Sequence, residues 1–180
     1  MAVREKTRLL EEKLRELIGF GEENDVLSGK VHRLACRLLE ASGLDATLDA
    51  AYLDLLDHFA VPHVAVRLWS VAEKDPETKE FGEVAAEMRD FTAQMTAPYC
   101  GGHAVYESQA WFGEAAPHLK SFALVGLRRD ELHFGAIALG SEDAKRFYPE
   151  MGTLYLMRIG ELMSHALWRY VTPVREQQAG

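Results

Sequence analysis

The chain reads as an α/β domain of the α+β kind: a central antiparallel sheet flanked by helices, behind a long N-terminal helix. Three observations predict this. Two apolar runs, Ser121–Leu127 and Leu132–Gly140, are separated only by Arg128-Arg129-Asp130-Glu131, a polar break of hairpin length. After them, apolar residues recur on almost every side of a helix running from Pro149 to about Val171. Ahead of the sheet, residues 4–42 carry apolar positions at spacings of three, four or seven.

Leu10, Leu14, Leu17, Asn24, Leu27, Val31, Leu34 and Leu38 make up that first stripe, with an irregularity around Gly19 and Gly21. The stripe is longer than a small domain can cover, which points to self-association. Asn24 stands on it, where a buried amide fixes register and oligomeric state. Ser42-Gly43 ends the helix, glycine being the usual left-handed terminator. Asp45–Phe59 is a second helix with Leu48, Tyr52, Leu55 and Phe59 on one face, closed by Val61-Pro62. His63–Ser70 alternates as a strand does, with Val64, Val66 and Leu68 opposite Ala65, Arg67 and Trp69.

Residues 71–82 are polar, with Asp75-Pro76 as a turn signal, and read as an exposed loop. Val84, Met88, Phe91 and Met95 recur at helical spacing, predicting an amphipathic helix from about Gly82 to Met95. Tyr99–Val105 reads as a strand, and a short helix or turn follows around Trp111 and Phe112. Ser121–Leu127 is apolar throughout, as a strand buried on both faces should be. Gly135 inside the next strand marks a bulge or a close approach by another backbone or a ligand. Pro149 suits the first position of the last helix and Glu150 suits its dipole. Leu156, Leu167 and Trp168 widen the apolar face of that helix beyond what one layer needs, so its second face is expected to meet a partner subunit. The expected division is a helical segment over 1–43, the domain over 44–171 and a disordered tail over 172–180.

At 180 residues the chain suits one domain with an appendage, and 48% hydrophobic residues provide a core without staples. A net charge of −8 disfavours nucleic acid unless the basic residues cluster. Arg4, Lys6, Arg8, Lys13 and Arg15 instead alternate with Glu5, Glu11, Glu12 and Glu16, which is the pattern of a solvated helix face. Cys36 and Cys100 are the only cysteines and fit a reducing compartment better than a disulfide scaffold. The N-terminus has no apolar signal stretch, and no run is long enough to span a bilayer. The expectation is a cytoplasmic protein without membrane or nucleic-acid partners.

The string GAIALGSEDAKRFYPEMGTLYLMRIGELM resembles the C-terminal signature of domain-of-unknown-function family 484, an uncharacterised bacterial family with a GAF-like fold. Glu23-Asn24-Asp25, the strand Ala65-Val66-Arg67-Leu68-Trp69 and Tyr99-Cys100-Gly101 also fit its pattern, so the resemblance runs from about Leu9 to Trp168. The chain departs from the pattern at Gly102 and His103, where a basic and then an aliphatic residue are usual. The resemblance implies the fold, the long first helix and dimerisation, and no activity.

By analogy with GAF domains, the helix and loop between the second and third strands roof a ligand cavity. Met88, Phe91, Met95, Tyr99, Cys100, His103, Trp111 and Phe112 are the candidate lining, suited to a small apolar or aromatic ligand; the competing reading is that they fill the space as core. The Cys100…His103 pair could supply half a metal site, but no second pair completes four ligands, so no metal and no cofactor are expected. A thiol reductase of the methionine sulfoxide kind would need a resolving thiol, and only Cys36 is available. The bilin-attachment and cyclic-nucleotide patterns of other GAF domains are absent from this sequence. No nucleophilic triad, phosphate loop or HExxH helix is present. The sequence therefore predicts a non-catalytic, homodimeric sensory or scaffold module. The alternatives are a small redox enzyme using Cys100 and a pure protein-interaction module with a filled cavity. The expected dimer interface is Leu10, Leu14, Leu17, Asn24 and Leu27 with Leu156, Leu167 and Trp168.

Overall fold

A computed structural model of the chain describes residues 2–72, 78–150 and 153–174. Helix α1 (Ala2–Glu40) runs unbroken through Gly19 and Gly21, and α2 (Leu44–Asp57) follows a turn at Gly43, whose φ of 97° only glycine adopts freely. Strand β1 (His63–Leu68) and the short β2 (Val71–Ala72) come next. Then follow α3 (Ala86–Gln94), β3 (Tyr99–Gly101), β4 (Ser121–Arg129), β5 (Leu132–Ser141), α4 (Leu154–Trp168) and β6 (Thr172–Pro173). Between β3 and β4, residues Tyr106–His118 wind as 3-10 turns broken at Gly113.

The main sheet is antiparallel in the order β1-β5-β4-β3. The hairpin turn is tighter than the polar run suggested: β4 continues through Arg129, and only Asp130-Glu131 turn, with Asp130 at a φ of 51°. Gly135 lies beside a register shift between Leu127 and Arg128, and a Cβ there would stand 2.6 Å from the Arg67 carbonyl oxygen. It is the close backbone approach that a glycine within a strand predicts.

Alternation along the strands feeds two layers. Val66, Leu68, Val125, Leu127, Ile137 and Leu139 face α2, α4 and the last turns of α1, where Leu34 and Leu38 are buried. Ala65, Leu124, Ala136 and Ala138 face the other way, beneath Trp69, Val84 and Met88. Helix α4 presses closely on β4, since a Cβ at Gly160 would come 2.4 Å from Val125 Cγ1. The Ser164 hydroxyl donates to the Gly160 carbonyl and accepts from the Arg128 N–H, and the Tyr170 hydroxyl donates to the Ala41 carbonyl.

Several sequence expectations need correction. Helix α4 begins at Leu154, not Pro149: Phe147 is fully buried, and Pro149 and Glu150 lie in a turn ahead of the helix. Residues 151–152, within the span expected for this helix, lie outside the described residues, as does the Asp75-Pro76 turn. The loop after β1 starts with a strand, because Val71–Ala72 pairs with Thr172–Pro173. The tail expected from Thr172 is therefore ordered over those two residues, and 175–180 lie outside the described residues. Leu156 and Leu167 cannot supply a partner-facing surface, since both are fully buried in the chain's own core. Trp168 packs edge-on against Phe134, with ring centroids 5.3 Å apart.

Candidate functional site

The residues expected to line a cavity split between the two sides of the sheet. Met88 is fully buried on the α3 side, and Phe91, Met95, Tyr99, Trp111 and Phe112 are half-buried around it. Gly140 has no side chain beneath them, where a Cβ would meet Leu119 and Phe112. Cys100 belongs instead to the opposite layer with Val125 and Met163, so it does not join the group. His103 is exposed, and only its carbonyl is engaged, accepting the Tyr99 hydroxyl at 2.7 Å. Strand alternation explains the division: neighbouring residues on β3 must point to opposite faces.

Burial pushes the Cys100 thiol up, which keeps it protonated and a poor nucleophile. Cys36 is exposed on α1, with its sulfur 3.7 Å from His32 Nε2. Among the described residues, no group of three or more His, Cys, Asp or Glu side chains is placed to hold a metal ion.

Charged groups form a second feature at the edge of β1. The Arg67 guanidinium lies 5.2 Å from the Trp111 ring centroid, and its pKa is lowered by burial. Glu80 is buried and accepts the Tyr52 hydroxyl at 2.8 Å. Burial and then that hydrogen bond push the Tyr52 pKa up. Sequence reading missed this cluster because Glu80 looked like part of a solvated loop; its one signal was Tyr52 on the apolar face of α2.

Among the described residues, surface grooves open on either side of α4. One, of about 530 Å³, lies between the end of α3, the β4–β5 hairpin and α4. The other, of about 780 Å³, lies where α1 leaves the body. One wall of it is built by Asp143, Lys145, Arg146 and Tyr148. The Ser121 hydroxyl donates to the Asp143 carbonyl and accepts from the Phe147 N–H. Asp143 Oδ1 accepts the Lys145 N–H, and Arg146 Nη2 donates to the Phe59 carbonyl at 2.8 Å. The segment from Ser141 to Phe147 is thus a latch that ties the end of β5 to the end of α2. Glu23 and Asn24 of α1 line the same groove.

The profile of the family described as "Protein of unknown function, DUF484" matches residues 1–172. The chain belongs to the DUF484 family. Glu23-Asn24 and the latch, which both fit the family pattern, meet across one groove although far apart in sequence. No curated protein matches the chain. Among solved structures it is similar to the GAF domain of an Acinetobacter phosphoenolpyruvate-protein phosphotransferase, at 12% identity and a TM-score of 0.56, covering 78% of this chain and 92% of that one. It is also similar to the photosensory core module of a Stigmatella aurantiaca phytochrome, at 11% identity and a TM-score of 0.53, covering 80% of this chain and 36% of that one. The fold of this DUF484 member is GAF-like. No helix among the described residues is long and apolar enough to cross a membrane.

Proposed function

We propose that the chain is a non-catalytic, cytoplasmic sensory or scaffold module that works as a homodimer through the projecting part of α1. The observation that carries this is the unsupported apolar stripe on that helix. Leu10, Leu14 and Leu17 are 58–65% exposed, and Ile18 and Phe20 stand beside them. Helix α1 has 39 residues, about 58 Å at 1.5 Å per residue, and its first buried side chain is Leu34. Burying one leucine contributes about 1.5–3 kcal/mol, so several per subunit offset the roughly 4–15 kcal/mol entropic cost of association.

The reading narrows the expected interface to α1, since Leu156 and Leu167 are used inside the chain. It sets thiol catalysis aside because Cys100 is buried and its thiol pKa is raised. The packed layer of Met88, Phe91, Met95, Trp111 and Phe112 favours the filled-cavity form of the module over a ligand beneath that roof. Sedimentation tests the proposal. The wild type is expected to run as a dimer at tens of micromolar, and Leu14→Glu with Leu17→Glu as a folded monomer. A monomeric wild type overturns it.

A further inference from the structure

We propose that the groove between α1 and the N-terminal end of α4 binds an amphipathic organic anion: a carboxylate, sulfonate or phosphate carried on an aromatic ring or short acyl chain. The proposal names the input that the sensory reading leaves open, and rests on that reading only for its consequence at α1. The groove holds about 780 Å³, within the range of roughly 300–1,000 Å³ that suits small molecules.

Its lining has two characters. Leu27 and Val31 of α1, with Phe59, Leu154 and Tyr155 of the body, form an apolar bed. Around it stand Lys30, Lys145, Arg146 and Arg158, against only Glu23 and Asp143. A surplus of cations is unexpected on a chain whose net charge is −8. Among the described residues none of these four cations makes an ion pair, although all four line the one groove. The Tyr155 hydroxyl is buried at the same groove, with Arg146 close enough to act on it.

A second copy of the chain is a poorer occupant. The exposed stripe of α1 is leucine-rich, and seating it here would bury several cations without partners. An anion on a flat or short apolar body satisfies both parts of the lining. Bound there, it would touch α1 and the latch together, so its binding energy would bear on how α1 leaves the body.

Anilinonaphthalene sulfonate, an aromatic anion, is the probe, titrated by fluorescence against the full chain. Saturable binding at one site per chain is expected. Uncharged phenylnaphthylamine should bind at least about tenfold more weakly, equal to 1.4 kcal/mol. Lys145→Glu with Arg158→Glu should weaken the sulfonate by a similar factor. Lys120→Glu with Arg128→Glu, the same charge change away from the groove, should leave it within about twofold. If the charge reversals disturb folding, as read by circular dichroism, Lys145→Gln with Arg158→Gln carries the same test. Unsaturable binding, or equal affinity in the groove and control variants, overturns the proposal. So does a groove variant that loses the probe only because its dimer falls apart in sedimentation, since the groove would then be an interface between copies. A wild type that is monomeric yet binds the probe at one groove-dependent site would overturn the dimer and leave this site standing.

Discussion

The projecting half of α1, with its leucines, and the whole of α4, with leucines and methionines, each carry more apolar surface than one packing face needs, yet they meet opposite fates. Helix α4 lies between β4, α2 and the end of α1, so Leu156, Ile159, Met163 and Leu167 are all buried within the chain. Before Leu27, no α1 side chain among the described residues joins the core, and Leu10, Leu14 and Leu17 remain in solvent. Surplus apolar surface on a helix therefore says that something covers it. Whether that cover is the same chain depends on where the helix sits in the fold.

Truncation should separate the two helices most sharply. Leu156→Ala or Leu167→Ala is expected to lower the unfolding free energy by about 2–5 kcal/mol, because each leaves a cavity in a closed core. Leu10→Ala should leave the unfolding of an isolated chain within about 0.5 kcal/mol of wild type and weaken only association. Chemical denaturation at several protein concentrations reads both effects, since only association depends on concentration. A Leu167→Ala chain as stable as wild type would mean that α4 is not the closed helix described here.

Glycine substitutions sharpen the same contrast on a smaller scale. A Cβ at Gly160 of α4 would stand 2.4 Å from Val125 Cγ1, whereas a Cβ at Gly19, Gly21 or Gly29 of α1 meets nothing within 4 Å. Gly160→Ala should therefore destabilise: overpacking costs about 1–3 kcal/mol and outweighs the roughly 0.8–1 kcal/mol of helix propensity gained. Gly21→Ala has only the gain, and thermal melting should rise slightly. If Gly21→Ala instead weakens the dimer, the two copies of α1 approach most closely there.

Much of the fold was legible because the signal was local. The β4–β5 hairpin, the alternation of Val64 to Trp69 and the meaning of Gly135 follow from periods and residue types that operate over a few positions. Two errors arose where distant parts of the chain decide. Leu156 and Leu167 looked like partner-facing residues because no sequence pattern says how many layers enclose α4. The start of that helix was misplaced because Pro149 and Glu150 carry good start signals, while the anchoring of Phe147 beneath Ser121 overrides them. Among the candidate site residues, Met88, Phe91 and Met95 share one face as their helical spacing implied, and Trp111 and Phe112 join them from the 3-10 turns. Cys100 is separated from them by strand parity, which a boundary placed loosely at Tyr99–Val105 does not fix. The groove at the root of α1 was unreadable, since Lys30, Lys145 and Arg158 belong to three elements that meet only in the folded chain.

The smallest effect lies where α1 enters the body. Asp54 of α2 is buried, neither carboxylate oxygen has a hydrogen-bond partner among the described residues, and His58 Nε2 stands 3.5 Å from Oδ1. Arg33 Nη1 of α1 lies 3.2 Å from the His58 ring nitrogens, so this cluster spans the two helices. Burial pushes the Asp54 pKa up; His58, Arg37 and Arg33 pull it down less strongly, and Asp57 adds to the rise. A carboxyl group whose folded pKa is raised holds its proton more tightly in the native state than in the unfolded one. Its contribution is therefore full below the unfolded value of about 3.9, declines as pH rises towards the folded value, and stays lost above it. Asp54→Asn cannot ionise and removes that decline. Unfolding free energies measured from about pH 4 upward should fall more steeply for wild type than for Asp54→Asn, and the two curves should run parallel once Asp54 is ionised. Leu14→Glu with Leu17→Glu should leave this slope unchanged, because the projecting half of α1 does not touch the cluster. Parallel curves over the whole range would show that Asp54 titrates normally, and that the root of α1 is as open to water as its tip.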